Sequence, residues 1–275
     1  GRIIISVAKP RGCSNCGSRE LTQDPDVLTT WFSSGQWPFL TLGFPDSRDY
    51  KTFYPTDVME TGWDILFFWV ARMIMLGIYA TGKVPFKIVY LHGLVRDKDR
   101  QKMSKSKGNV IDPLGVAEQY GTDALRLALI VGTAPGNDPI ISEDKIRGQR
   151  NFANKIWNMA RFILMHSDKL PSGKISFSAS DRARLKELRN IEKKVTRDME
   201  QSKFHLAAET VYHYLWHTLA DKIIESAKTR LSGEDIKDRR AAQALLIEIF
   251  STSLKLLHPF MPFITEEIWS QLPIE

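Results

Sequence analysis

Tyr54-Pro55-Thr56-Asp57-Val58-Met59-Glu60-Thr61-Gly62-Trp63-Asp64-Ile65-Leu66-Phe67-Phe68-Trp69-Val70-Ala71-Arg72-Met73 states the architecture of the first half of this 275-residue chain. The spacing predicts a buried strand over Tyr54 to Thr61, a turn at Gly62 and a helix from Asp64 to Tyr79. A loop from Thr81 to Pro85 and a second strand from Lys87 to Val95 follow. Strand, glycine turn, helix and strand make a βαβ unit, and such units build parallel sheets whose ligands lie at the carboxyl ends of the strands. Gly62 lets the backbone approach a ligand. Asp64 either accepts from a ribose diol or complements the helix dipole. Ile65 and Trp69, four apart, share one helical face and either line a wall or belong to the core. His92 and Gly93, near the end of the second strand, either contact a nucleotide or satisfy themselves on backbone.

Soon after that strand comes Lys102-Met103-Ser104-Lys105-Ser106-Lys107-Gly108-Asn109, too polar to pack and too rich in small residues to be regular structure. It reads as a cationic loop. Ammonium groups, hydroxyls and free backbone N–H groups together suit a polyphosphate, and the loop stands where a phosphate site in this architecture belongs. A solvated lysine loop is the competing reading.

The composition, 43% hydrophobic and 25% charged, is that of a globular chain able to bury a core, and the length predicts about two domains. A net charge of +6 points to an anionic partner, nucleotide or nucleic acid before membrane. The apolar stretch Ile65 to Tyr79 is interrupted by Arg72 and falls short of the roughly 20 residues of a membrane span. The only cysteines, Cys13 and Cys16, are spaced like half a zinc knuckle, so a reducing, cytoplasmic setting and at most an incomplete metal site are expected. Arg2 to Ala8 reads as a short strand, and Asp24 to Pro45, dense in tryptophan and turn residues, as irregular. No initiating methionine opens the chain, which is expected to be a piece of something longer.

Beyond the loop the pattern turns helical. Asp112-Pro113 is a cap followed by proline at the first helical position, and Gly121 closes that short helix. Asp123 to Val131 is a second helix. Ser142 caps a long one through about Met165, with Glu143 and Asp144 in its first turn and Ile146, Ala153, Ile156, Ala160 and Ile163 as its buried stripe. Asn151, Asn154 and Asn158 run beside that stripe. Leu170 to Ser180 is a linker; helices follow over Asp181 to Gln201, His205 to Arg230, Glu234 to Leu257 and from Thr265. The expected fold class is therefore α/β then all-α: part of a Rossmann-like nucleotide-binding fold followed by an antiparallel helical bundle. Arg182, Arg184, Lys186, Lys193, Lys194 and Arg197 offer either a phosphate-binding edge or a solvated face.

These strings carry a resemblance. Lys102-Met103-Ser104-Lys105-Ser106 matches the signature loop of the class I aminoacyl-tRNA synthetases, and its flanks resemble the valyl members of that family. The supporting strings are Asp26 to Ser34, Tyr54 to Val58, Thr61 to Met73, His92 to Asp97 and Leu257 to Trp269. The resemblance implies residues 1–110 as the carboxy-terminal part of the catalytic domain, 111–141 as a stem-contact connector and 142–275 as a helical anticodon-binding domain. It implies catalytic roles for Lys102 and Lys105, which would stabilise pyrophosphate and the charge growing at the α-phosphate of ATP. Gly62, Asp64, His92, Gly93, Met103, Ser104, Lys105 and Ser106 would bind ATP, which enters with Mg2+. Trp31, Ile65 and Trp69 would form a valine pocket, Ile65 filling the space a larger side chain needs. The implied partners are tRNA, ATP and valine; zinc at Cys13 and Cys16 stays open. Family members carry an editing domain, which these residues lack; the amino-terminal strand and knuckle resemble the segment returning from it.

One departure limits this. The His-x-Gly-His signature of class I enzymes occurs nowhere in the 275 residues. The chain alone is therefore expected neither to form an aminoacyl-adenylate nor to charge tRNA. Two rivals remain: an isoleucyl-type fragment, against which the Asp64 to Trp69 string argues, and a non-catalytic helical tRNA-binding module.

Overall fold

β1 (Thr56–Gly62) and β2 (Phe86–His92) pair as a two-stranded parallel sheet. The structure is a computed structural model that describes residues 3–104, 106, 108–167 and 175–273. Lys105 and part of the expected linker at Leu170 to Ser180 lie outside the described residues. The strands are joined by a helical run that begins as a 3-10 turn at Trp63–Ile65, widens to a π turn at Leu66–Val70 and becomes α4 (Ala71–Thr81). Gly62 is thus the last residue of β1, buried, and the 3-10 turn after it reverses the chain. Trp63, the first residue beyond the strand, donates its indole Nε1 to Asp138 at 3.2 Å.

The run Trp63–Thr81, 19 residues, is long and apolar enough to cross a membrane by length and composition alone, further than the sequence reading allowed. Its details are those of a βαβ crossover. Val70, Met73 and Gly77 are buried on one side, and Arg72 folds back to donate to the carbonyls of Phe67 (3.4 Å) and Phe68 (2.7 Å). Gly82, at φ +73°, ends α4 in the left-handed conformation that glycine adopts without a side-chain clash. Tyr54 locks this end to the foot of β1 by donating to Lys83 O at 3.1 Å.

The chain separates into two compact units, Gly1–Met59 with Asp64–Ile88, and Glu60–Trp63 with Val89–Glu275. In the first, the segment expected to be irregular contains α1 (Thr30–Ser34) and α2 (Trp37–Leu40), followed by α3 (Arg48–Phe53). Local chemistry explains them: Thr29 accepts from Trp31 N, Pro38 stands in the first turn of α2, and Ser47 accepts from Tyr50 N. Helices this short have no hydrophobic period to betray them. Among the described residues, 3–8 form no strand, and Ile3, Ile5 and Val7 are exposed.

The second unit is almost wholly helical: α5 (Pro113–Tyr120), α6 (Thr122–Ile130), α7 (Glu143–Met165), α8 (Ala179–Glu200), α9 (Phe204–His213) continuing through a π segment (Tyr214–Ile224) into α10 (Glu225–Ser232), then α11 (Ile236–Leu257) and α12 (Pro262–Trp269). Starts follow the expected caps. Asp112 accepts from Leu114 N and Gly115 N, and Ser142 from Lys145 N. Ser178 and Asp181 form a capping box at the start of α8. One core gathers Phe152, Ile156 and Ile163 of α7 with Leu215, Leu219, Leu246 and Phe250, while Asn151, Asn154 and Asn158 face solvent. Pro262 starts α12 three residues earlier than expected.

The bundle is cross-braced by charge. Arg230 holds buried Asp181 through both nitrogens (2.7 and 3.1 Å) and also reaches Asp238 (2.7 Å). Burial pushes the Asp181 carboxyl up, but the bonds from Arg230 and Ser178 outweigh it and hold the group below its ordinary range. A carboxylate held low contributes stability that is fully present above its unfolded pKa of about 4 and lost as pH falls through the lower folded value. Asp181→Ala, which leaves Arg230 with Asp238 alone and removes half of the capping box of α8, is expected to cost about 2–4 kcal/mol in chemical denaturation near neutral pH. The gap from the parent chain should narrow as the solution is taken below pH 4.

Candidate functional site

The residues at the carboxyl ends of the two strands converge on Asp138. Its side chain accepts from Leu94 N (2.7 Å), from the indole of Trp63 (3.2 Å) and from Arg96 Nε. The Leu94 amide, then Arg96, then Trp63 hold the carboxyl well below the usual range. Arg96 also donates its N–H to Pro139 O (2.9 Å) and accepts from Ile141 N (3.0 Å), so the segment leading into α7 is zipped to the segment leaving β2. Gly93 is buried between them. A Cβ there would overlap the Asn137 carbonyl and stand 2.5 Å from Asp138 N, both backbone atoms that cannot swing away. His92 stays exposed, with Nδ1 2.8 Å from Gly93 O and Nε2 3.2 Å from Glu60.

The lysine loop is rooted in the same place. Lys102 pairs with Arg96 as an antiparallel bridge, and the loop is clasped at its base by two side chains. Asn109 donates to Asp97 (2.7 Å) and accepts from Ser104 N (2.9 Å); Asp97 in turn accepts from Asp99 N (3.0 Å) and Gln101 N (2.8 Å). Ser104 and Ser106 share a hydroxyl hydrogen bond of 2.7 Å. Lys102 and Ser106 are exposed, and Met103 is half-buried.

The remaining candidates lie in the first unit. Trp31, on α1, meets Phe68 at a ring separation of 5.7 Å. Trp69 meets Trp37 of α2 at 6.1 Å, and its indole donates to Ser34 O at the end of α1 (3.0 Å). Both indoles are half-buried, as is Ile65, while Asp64 is exposed in the 3-10 turn. Trp69 is thus held by a backbone carbonyl and a second indole, and Trp31 by a phenyl ring.

Cys13 and Cys16 stand in a tight turn closed by Cys13 N to Ser18 O (2.8 Å) and Gly17 N to Cys13 O (2.9 Å). Hydrogen bonds from the backbone of Asn15, then of Cys16, pull the Cys13 thiol down. Two sulfurs supply half a tetrahedral zinc site, and among the described residues no third ligand gathers with them, so a complete site does not fit. On α8, the edge expected to be basic is partly neutralised. Arg184 pairs with Glu187 (3.2 Å) and Lys194 with Asp198 (2.8 Å), while Arg182, Lys186, Lys193 and Arg197 are exposed.

Comparison with known proteins fits both halves. The family model of class I tRNA synthetases (I, L, M and V) matches residues 6–142, and that of the anticodon-binding domain of tRNA ligases matches 181–274. The valine–tRNA ligases of Clostridium acetobutylicum and Dehalococcoides mccartyi are 49% and 50% identical to the chain, over 99% of it. The chain belongs to the class I aminoacyl-tRNA synthetases. It spans 31% of the length of those two relatives. Methionyl-tRNA synthetase of Mycobacterium tuberculosis, solved with methionyl-adenylate, superposes with a TM-score of 0.71 at 26% identity, covering 84% of this chain and 47% of that one. The ternary LeuRS–tRNA–LeuAMS complex of Agrobacterium radiobacter K84 shares the fold, with a TM-score of 0.74 at 22% identity over 94% of this chain and 33% of that one.

Within this synthetase segment, sequence reading overlooked Asp138, Arg96 and Asn109, and in the aromatic group Trp37 and Phe68. Trp37 and Phe68 had a signal, since each sits beside a chosen indole in sequence or on a neighbouring helix. Asp138 had none, because its partners lie 42 to 75 residues away. The closeness of backbone at Gly93 makes a direct test: Gly93→Ala is expected to lower unfolding free energy by about 1–3 kcal/mol through overpacking, read from a denaturant midpoint. Gly132→Ala, with open space around its Cβ, isolates the cost of a strained positive φ for comparison.

Proposed function

We propose that this chain is a segment of a valine–tRNA ligase, the enzyme that activates valine with ATP to valyl-adenylate and transfers it to tRNA. The observation that carries the reading is near 50% identity, over almost the whole chain, to valine–tRNA ligases of separate bacteria. The site chemistry is in keeping with it. Lys102 and Lys105, the latter outside the described residues, would place ammonium groups where charge grows on the phosphates as the valine carboxylate attacks. Met103, Ser104 and Ser106 would line the ATP phosphates, with Gly62, Asp64, His92 and Gly93 on the adenosine and Asp64 on the ribose. ATP would arrive with Mg2+, held by its own phosphates. Trp31, Ile65 and Trp69 would enclose a β-branched side chain, which two spaced indoles can do.

In this reading residues 1–110 complete the catalytic fold, 111–141 form the stem-contact connector and 142–275 the anticodon-binding domain, its helices antiparallel as their short connections suggest. The setting is cytoplasmic, where translation enzymes work. Exposed Arg182, Lys186, Lys193 and Arg197 would meet tRNA phosphates. The isoleucyl alternative lacks an equivalent observation in its favour.

Three outcomes test this. The full-length ligase carrying this segment is expected to catalyse ATP–pyrophosphate exchange with valine, and Trp69→Ala to raise the KM for valine about tenfold or more, a loss of roughly 1.4 kcal/mol. Exchange driven by leucine or another amino acid in place of valine would defeat the reading. The isolated 275 residues, lacking the His-x-Gly-His half, should show no exchange above background, and their binding to tRNA should weaken steeply between 50 and 200 mM salt, a range over which phosphate contacts lose roughly 1,000-fold or more.

A further inference from the structure

α11 ends and α12 begins at a corner, residues 258–262, whose polar backbone groups are gripped by two side chains of α6. Asp123, 7% exposed, accepts the N–H of Ile264 at 2.7 Å and that of Phe263 at 3.3 Å, first-turn donors of a helix with no side-chain cap of its own. Arg126 donates Nε to Phe260 O at 3.3 Å and Nη2 to Pro259 O at 3.0 Å, carbonyls that follow the end of α11. A carboxylate thus meets the positive end of one helix and a guanidinium the negative end of the other. Just past α6, Gly132 N donates to Glu209 of α9 at 3.0 Å, so both ends of α6 are pinned to the bundle.

The placement is what gives these bonds a functional meaning. α6 lies in the stretch matched by the class I synthetase model, whereas the corner and Glu209 lie in the stretch matched by the anticodon-binding model. The four bonds to the corner go to backbone alone, so they fix where it runs without depending on its side chains. Asp123 is also one of few charged groups buried in the second unit, and none of its bonds goes to another side chain.

We propose that Asp123 and Arg126 are positioning residues for tRNA charging: they hold the tRNA-binding helices in the orientation that delivers the acceptor end, and have no part in forming the adenylate. This rests on the valine–tRNA ligase reading above. The test is made in the full-length ligase with Asp123→Ala, Asp123→Asn and Arg126→Gln. Each is assayed for valine-dependent ATP–pyrophosphate exchange and for aminoacylation of valine tRNA at limiting tRNA. Hydrogen exchange at the Phe263 and Ile264 amides reports whether the clamp has opened.

With the clamp open, exchange is expected to stay within about twofold of the parent, while kcat/KM for aminoacylation drops about tenfold or more. Asp123→Asn, which keeps an acceptor oxygen without the charge, should fall between the parent and Asp123→Ala. Unchanged aminoacylation with unprotected amides, or a parallel loss of both steps in Asp123→Asn and Arg126→Gln, overturns the proposal. Failure of the unmutated enzyme to exchange with valine would instead remove the functional reading beneath it.

Discussion

A single carboxylate, that of Asp138, collects three donors from two stretches of chain that are distant in sequence: the indole of the residue after β1, and an amide and an arginine of the segment after β2. A carboxylate offers about four lone-pair sites, and here most are aimed at N–H groups held rigidly by backbone or by an indole. The ends of two parallel strands are where an α/β protein places its ligand. Tying both ends to one anion fixes the spacing between the glycine that finishes β1 and the glycine that follows β2. The candidate nucleotide residues depend on that spacing.

The same anchorage reaches the lysine loop by a short route. Arg96, fixed by Asp138 on one side, bridges Lys102 on the other, and Asn109 closes the loop against Asp97. A loop of ammonium groups repels itself, and holding its two ends together costs chain entropy besides. Hydrogen bonds at the base meet that cost.

Short-range rules made much of this legible in the sequence. Asp112-Pro113, Ser142 with its two acids, and the threes and fours of α7 depend only on neighbours within a turn or two, and the structure has them where the residues announce them. The βαβ unit was equally plain, because its strands and helix differ in period. What escaped was set by distant partners or by geometry without a period. Gly62 looked like a turn because glycine often is one, yet it ends β1 and the 3-10 turn begins at Trp63. α1 and α2 are too short for periodicity, and residues 3–8 have the composition of a strand yet form none among the described residues. Within the candidate site, the lysine loop and the indoles were visible as residue types, whereas Asp138 became significant only once two distant segments were folded around it.

Gly93 has a consequence of another kind. Most positions in a protein can absorb change by a neighbouring side chain choosing a new rotamer, but here the wall opposite is peptide carbonyl and amide. No rearrangement of side chains makes room, so any accommodation has to displace main chain and, with it, the carboxylate next door. A hydrogen atom is therefore the largest substituent this junction admits without loosening the strand ends, and the fit of the two segments is set by an absence of matter.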